Sequence, residues 1–372
     1  MIPKQKAVKL CIITGILAVL VTAGAGSYLA MKFTPVGKVY GILNLLDKAF
    51  YKDFDKSQVM EGAARGVVAA LGDPYSVYMT EKEWNEFYIR TSGEYSGIGV
   101  TIGVKDSMVI VISPMRGTPA EKAGLKANDI ITKVDGKPVN SSDDAASLIR
   151  GPAGTEVTLT IYRDGETFDA AIVRQDISVP AVEYSMKDRD IGYIELITFN
   201  EHSNVDTAQA LEELKSQGAR AIVLDLRYNG GGLLDRCIDI ASLFVPKGTV
   251  VTVKGKSIDE TAYRSEGTGL GMPLVVLVNQ GTASASEILA GAIQDYKVGT
   301  LIGTTTFGKG LVQNSFRLKD GSVVKVTIAE YLTPEGRSIH GKGLEPDVIT
   351  EGDDEQLAKA LELARAKIEK TS

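Results

Sequence analysis

The sequence predicts an α/β fold interrupted by a β-rich insert. Three patterns point to it. From about residue 178 strands and helices alternate, as in "IGYIELITF", "VDTAQALEELKSQG" and "AIVLDLRY". Strands such as "AIVLDL" and "PLVVLVN" are apolar almost throughout, which suits a sheet covered on both faces. Between about residues 93 and 177 lie short alternating segments, among them "GVTIGV", "MVIVISPM" and "EVTLTIYRDG", in a run the size of a small independent domain.

In chain order, Lys4, Lys6 and Lys9 precede residues 10–31, which carry no charge and are long enough to span a bilayer. Basic residues on the short side would hold that end in the cytoplasm and send the remainder outward. Ala23-Gly24-Ala25 also resembles a cleavage site, so residues 1–31 read as a membrane anchor or a signal peptide. Residues 32–92 read as a helical region with two apolar-periodic segments, the second stopped by Gly72-Asp73-Pro74. The insert, 93–177, contains one helix, in "SSDDAASLIRG", and 178–352 form the α/β core. Residues 353–372 read as a helix with Leu357, Leu361, Ala364 and Ile368 on one stripe, suited to packing on the core or on a second subunit.

With 372 residues, 44% hydrophobic and 24% charged, the chain can bury two or three cores. A net charge of −6 argues against nucleic acid as a general partner, because phosphate binding needs a positive surface. Only two cysteines occur, and Cys11 lies in the apolar N-terminal segment, so Cys237 has no evident disulfide partner and no Cys-rich metal site is available.

Chemistry concentrates in three glycine-containing corners. "NQGTASASEILAGAIQDY" places Ser284 between an apolar strand and a helix, where unpaired N–H groups and the positive dipole end can stabilise an oxyanion. The plainer reading is a capping box made by Ser284 and Glu287. A serine nucleophile needs a base, and both histidines, His202 and His340, sit in polar turns. A lysine can serve when burial lowers its pKa, and Lys309, flanked by Gly308 and Gly310 among apolar residues, suits that role, although most lysines are surface residues. Gly303 to Lys309 also reads G-x-x-x-x-G-K, but Gly310 replaces the magnesium-binding Ser or Thr and a hairpin follows, so a nucleotide site is disfavoured. In "LDLRYNGGGLLDRC", Gly230, Gly231 and Gly232 would let a backbone amide face a site, or simply make a flexible turn.

Taken together and in order, "LDLRYNGGGLL", "NQGTASASEILAGAIQD" and "GTTTFGKGLVQ" resemble the carboxyl-terminal processing proteases, a tail-specific family of serine peptidases; "GDPYSVYM" and "YLTPEGRSIHGKGLEPD" are similar to further blocks of that family. The resemblance runs from about residue 36 to 351. It implies a crotonase-like α/β peptidase core with an inserted PDZ domain and helical segments at both ends. It also implies Ser284 as nucleophile, Lys309 as general base, Gln313 orienting the lysine amine, and an oxyanion hole from the amides of Ala285 and Gly231, with Gly232 the neighbouring candidate. Asp295 matches an acidic position of the family, where a structural role fits equally well. Gly230 departs from the family, many members of which carry proline there, and Tyr228 replaces an asparagine. In the insert, "SGIGV" resembles a PDZ carboxylate-binding loop, so Gly97, Ile98, Gly99 and Val100 would capture the free C-terminal tail of a protein or peptide.

The expected function is that of a membrane-anchored or secreted serine endopeptidase acting outside the cytoplasm with no metal or organic cofactor. The terminal helices suit a homodimer or packing within one subunit. Two other classes stay in view: a catalytically silent, membrane-tethered PDZ adaptor, and an acyl-CoA enzyme built on the same crotonase-like core.

Overall fold

The computed structural model describes residues 34–371, so the anchor or signal segment read at residues 1–31 lies outside the described residues. None of the described helices is long and apolar enough to cross a membrane. The chain divides into two compact units, residues up to 81 with 315–326, and residues 82–314 with those from 327 onward.

In the first unit Pro35–Ala49 and Lys56–Ala69 are the two helices that the apolar period predicts. Thr34 and Asp55 cap them, each accepting an amide of the first turn, Gly37 N–H at 3.3 Å and Ser57 N–H at 2.8 Å. Beyond the second helix Asp73 closes a turn by accepting the Tyr75 amide and the Ser76 hydroxyl, which explains the "GDPYS" block. The strand Val77–Met79 then pairs antiparallel with residues 323–325. The helical face carries an apolar stripe that nothing in this unit covers: Val36, Ile42, Leu45, Val67 and Leu71 all stand exposed.

The second unit holds a β-rich insert and an α/β core, joined by a short antiparallel ladder between Glu94–Gly97 and Gln175–Ser178. The insert's sheet runs in the order Val100–Lys105, Met108–Pro114, Ile130–Val134, Glu156–Arg163, Glu166–Val173, and the helix Ser142–Ile149 lies beside it. Its core of Ile98, Val111, Val134, Leu159 and Ile161 is fully buried. In the larger core six strands stand in the order Val182–Lys187, Ile191–Leu196, Ala221–Asp225, Leu274–Val278, Thr300–Gly303, Val348–Ile349; the first pair is antiparallel and the others parallel. Ala221–Asp225 and Leu274–Val278 are buried at every residue, as apolar runs in a doubly covered sheet must be. Helices Ser203–Ser216, Leu234–Phe244 and Ala285–Asp295 contribute to one apolar cluster. The C-terminal helix Asp353–Thr371 covers the opposite face with Ala360, Ala364 and Ile368, which resolves the two packings open to it in favour of the core.

One ion pair makes the insert sensitive to acid. Asp129 is 1% exposed. Burial would raise its pKa, but two bonds from Arg163, each 2.6 Å, and one from the Lys126 amide outweigh that and hold the carboxyl below its ordinary range. The pair's stabilisation is therefore complete above the unfolded value of about 3.9 and is lost as pH falls through the lower folded value. Urea unfolding of the insert, followed between pH 2 and 6, is expected to weaken below about pH 4, and Asp129→Asn should flatten that dependence.

Candidate active site

At the carboxyl end of Leu274–Val278 the chain turns a corner that is stitched to the loop after Ala221–Asp225. Asn279 Oδ1 accepts the amides of Gly281 at 2.9 Å and Tyr228 at 3.0 Å. The Thr282 hydroxyl donates to the Leu226 carbonyl at 2.8 Å, and the Ala283 amide to the Asn229 carbonyl at 3.0 Å. The two crowded serines then separate in role. Ser286 is fully buried and donates to the Asn229 carbonyl at 2.9 Å, a structural bond. Ser284 is half-buried, with φ 57° and ψ −119°.

That conformation bears on the capping-box reading. Both halves of that box are present, the Ser284 side chain meeting the Glu287 backbone and the Glu287 carboxylate returning to the Ser284 amide at 3.0 Å. The cap is nonetheless strained: a capping residue usually takes extended backbone, whereas Ser284 has a left-handed φ that costs a non-glycine residue on the order of 1–3 kcal/mol. The Ala285 amide, the first of the helix, has no acceptor among the described residues.

Gly231 faces this turn. With φ +95°, a Cβ there would lie 2.8 Å from both the Ala283 carbonyl and the Ala285 nitrogen and 2.9 Å from Ser284 Cβ. Its own N–H donates to Asn229 Oδ1 at 2.9 Å, while the neighbouring Gly232 N–H has no acceptor among the described residues. Gly232 is sterically required as well, since a Cβ would meet the Phe199 carbonyl at 2.3 Å. Gly230 has negative φ and open space around it, so it lacks the steric demand of its two neighbours.

Lys309 enters on the loop that follows Thr300–Gly303. Its amide donates to Glu287 Oε2 at 2.9 Å; Oε1 accepts the Gly308 amide at 2.8 Å and the Thr306 hydroxyl at 2.5 Å. The phosphate-loop spelling is thereby explained, because the loop's amides face a buried carboxylate of the same chain and no helix follows them. Behind this loop lies residues 339–344, from which the Gly341 amide donates to the Gly308 carbonyl and the Leu344 amide to Thr306 Oγ1. Gln313 stands on the strand Leu311–Arg317, its amide nitrogen donating to Thr327 Oγ1 at 3.5 Å. Tyr331 donates its hydroxyl to the Ser284 carbonyl at 3.1 Å; burial first, then the Glu287 charge, push its phenol far above the ordinary value, so it acts as a neutral donor. The Cys237 thiol, also raised by burial, donates to the Ala285 carbonyl at 3.1 Å and is inert. Neither histidine shows a bond to Ser284: His202 pairs with Glu94 at 2.5 Å, and His340 is exposed on the 339–344 loop. Asp295, at the far end of the serine-bearing helix, binds Arg337 and the Glu335 amide and so clamps the 333–337 turn.

A groove of about 580 Å³ lies between Val100–Lys105 and Ser142–Ile149. Ile98, Gly99 and Val100 line it, with Ala146, Ile149 and Arg150. The carbonyls of Ile98 and Gly99 turn away, accepting from Ala120 N–H, Met115 N–H and Thr118 Oγ1. The amides of Ile98 and Gly99 have no acceptor among the described residues, and Gly99, φ +72°, makes the bend possible. Gly97 is not in the lining; it pairs with Gln175, and its missing Cβ admits the Tyr95 ring. Thr198 and Asn200 of the α/β core complete the wall.

A mostly parallel sheet with a helix-starting serine, a glycine loop facing it, a lysine loop beside it and a peptide-sized groove in a β-rich insert defines a serine-peptidase type of architecture. Comparison with known proteins agrees. The model of peptidase family S41 matches residues 190–350, a PDZ domain model matches 96–173, and the model of the activating protease CtpB N-terminal domain matches 20–83. The carboxy-terminal processing protease CtpA of Bacillus subtilis (strain 168) is 39% identical over 325 residues, covering 86% of this chain and 69% of the relative. A probable CtpA-like serine protease of Staphylococcus aureus (strain COL) is 39% identical over 319 residues, 84% of this chain but only 64% of the relative's length. The structure of a photosystem II D1 C-terminal processing protease superposes with a TM-score of 0.50 at 33% identity, covering 87% of this chain and 88% of that one. The chain belongs to peptidase family S41, in its carboxy-terminal processing branch, and carries an inserted PDZ domain.

The two neighbouring glycines give a sharp test of the packing. Gly230→Ala is expected to change stability by less than about 0.5 kcal/mol. Gly231→Ala should cost about 2 kcal/mol or more, through strained φ and contact with the serine turn. Thermal unfolding of both variants measures the difference.

Proposed function

We propose that the chain is a serine endopeptidase that captures protein C-terminal tails in its PDZ groove and cleaves them with Ser284 and Lys309. The observation that carries this reading is the shared carboxylate: Glu287 binds the backbone of both residues, while Ser284 holds a left-handed φ beside an unclaimed Ala285 amide. Neutral Lys309, oriented by Gln313, takes the Ser284 hydroxyl proton as Oγ bonds to the substrate carbonyl carbon. The resulting oxyanion is held by the Ala285 amide and one from the glycine loop, either Gly231 released from Asn229 or the unclaimed Gly232. The lysine ammonium protonates the leaving amine as the C–N bond breaks, and water, deprotonated by the same lysine, frees the acyl group. Residues 93–177 act as the tail reader and 178–352 as the catalytic body. In the groove the two unclaimed amides and Arg150 suit a carboxylate, and the strand Val100–Lys105 suits β-augmentation by the tail.

Residues 1–31 would tether the enzyme to a membrane or export it, with the catalytic region outside the cytoplasm. The exposed apolar stripe on residues 35–71 suits a homodimer, and light scattering of the region from Phe33 onward tests this. For the activity, an unfolded reporter with a free apolar tail is incubated with the same region. Cleavage is expected to disappear in Ser284→Ala and Lys309→Ala and to weaken several-fold when the tail is amidated. Tail binding without cleavage by the unaltered protein would leave a PDZ adaptor.

A further inference from the structure

Glu287 is fully buried, yet four donors converge on it from two segments: the Ser284 amide from one, and the Thr306 hydroxyl and the amides of Gly308 and Lys309 from the other. All four bonds end on the two carboxyl oxygens, two on each. One oxygen, Oε2, receives both the Ser284 amide at 3.0 Å and the Lys309 amide at 2.9 Å. Two residues 25 positions apart therefore have backbone nitrogens no more than about 6 Å apart, fixed by a single atom. Thr306, which gives its proton to Oε1, takes the Leu344 amide on its own oxygen at 2.7 Å and so locks the carboxylate's orientation.

We propose that Glu287 is the positioning residue of this site: its carboxylate holds Ser284 and Lys309 in one frame and sets a fixed negative charge against which the lysine gains and loses its proton. The inference rests on the Ser–Lys reading above. Other titratable groups face the same region. Tyr331, bonded to the Ser284 carbonyl, and Cys237, bonded to the Ala285 carbonyl, both have pKa values raised by burial and stay neutral through the working range. His340 and Lys342 lie on the 339–344 loop packed against Gly308 and Gly310, and Asp295 and Arg337 neutralise each other beyond it.

A nearby negative charge favours the ammonium form, so removing it lowers the lysine pKa and lets activity begin at lower pH. The test is kcat and KM against pH for the region from Phe33 onward, in a His340→Gln background that removes the loop histidine. Glu287→Gln is expected to lower kcat about 100-fold, to change KM less than about threefold, and to move the acid limb down by roughly half to one pH unit. An unmoved limb overturns the proposal whatever the rate. Should that variant not fold, Thr306→Val carries the test, because it removes one donor and leaves the carboxylate: a several-fold fall in kcat at constant KM is expected, and an unchanged kcat overturns the proposal. Retained cleavage in Lys309→Ala would instead defeat the Ser–Lys reading itself.

Discussion

Three loops leave the carboxyl ends of neighbouring parallel strands and pack backbone against backbone, and every feature of the site follows from that contact. The loops are 226–232, 279–284 and 304–310. Main chains approach this closely only where side chains are missing, which is why a Cβ on Gly231 would meet the serine turn, one on Gly303 the Val278 carbonyl, and one on Gly343 the Thr306 carbonyl. Such packing strands polar groups away from water, and each must be answered. Asn229 and Asn279 answer most of them between the first two loops, and Glu287 answers those between the second and third. Strain at Ser284 persists because these bonds over-determine it.

The same loops connect to the PDZ groove through one short segment. Thr198 and Asn200 line the groove, while Phe199 between them exchanges backbone bonds with Gly231 and Leu233, and the Thr198 hydroxyl also reaches the Gly231 carbonyl at 3.3 Å. The insert itself is held by a short ladder, the Asn200 bond to Val179, a backbone bond from Glu201 to Ser92, and the exposed Glu94–His202 pair. An exposed pair of this kind contributes about 0–1 kcal/mol. The groove wall and the glycine loop thus share a strut, whereas the insert's attachment is comparatively light.

Much of this was legible in the sequence, and what was not shares a cause. Apolar periodicity located the covered strands and the serine corner, because burial acts on each residue in turn. Glu287 read as a capping box because its local partner, Ser284, lies three residues away, whereas its bonds to Gly308 and Lys309 cross more than twenty residues and leave no periodic trace. Gly97 read as part of the carboxylate loop, but strand pairing with Gln175 draws it out of the groove. The C-terminal stripe announced an apolar face without naming the surface that covers it. The helix Glu81–Ser92 left little signal, since its polar residues outnumber an apolar stripe too weak to stand out.

In the proposed chemistry Ser284 is a nucleophile activated by Lys309. The most direct measurement is the rate at which a fluorophosphonate labels the region from Phe33 onward between pH 5 and 10, with the adduct mapped by peptide mass. A single adduct on Ser284 is expected, its formation rising with the loss of one proton, a dependence that disappears in Lys309→Met. An adduct on another serine, or a pH profile indifferent to Lys309, would contradict it.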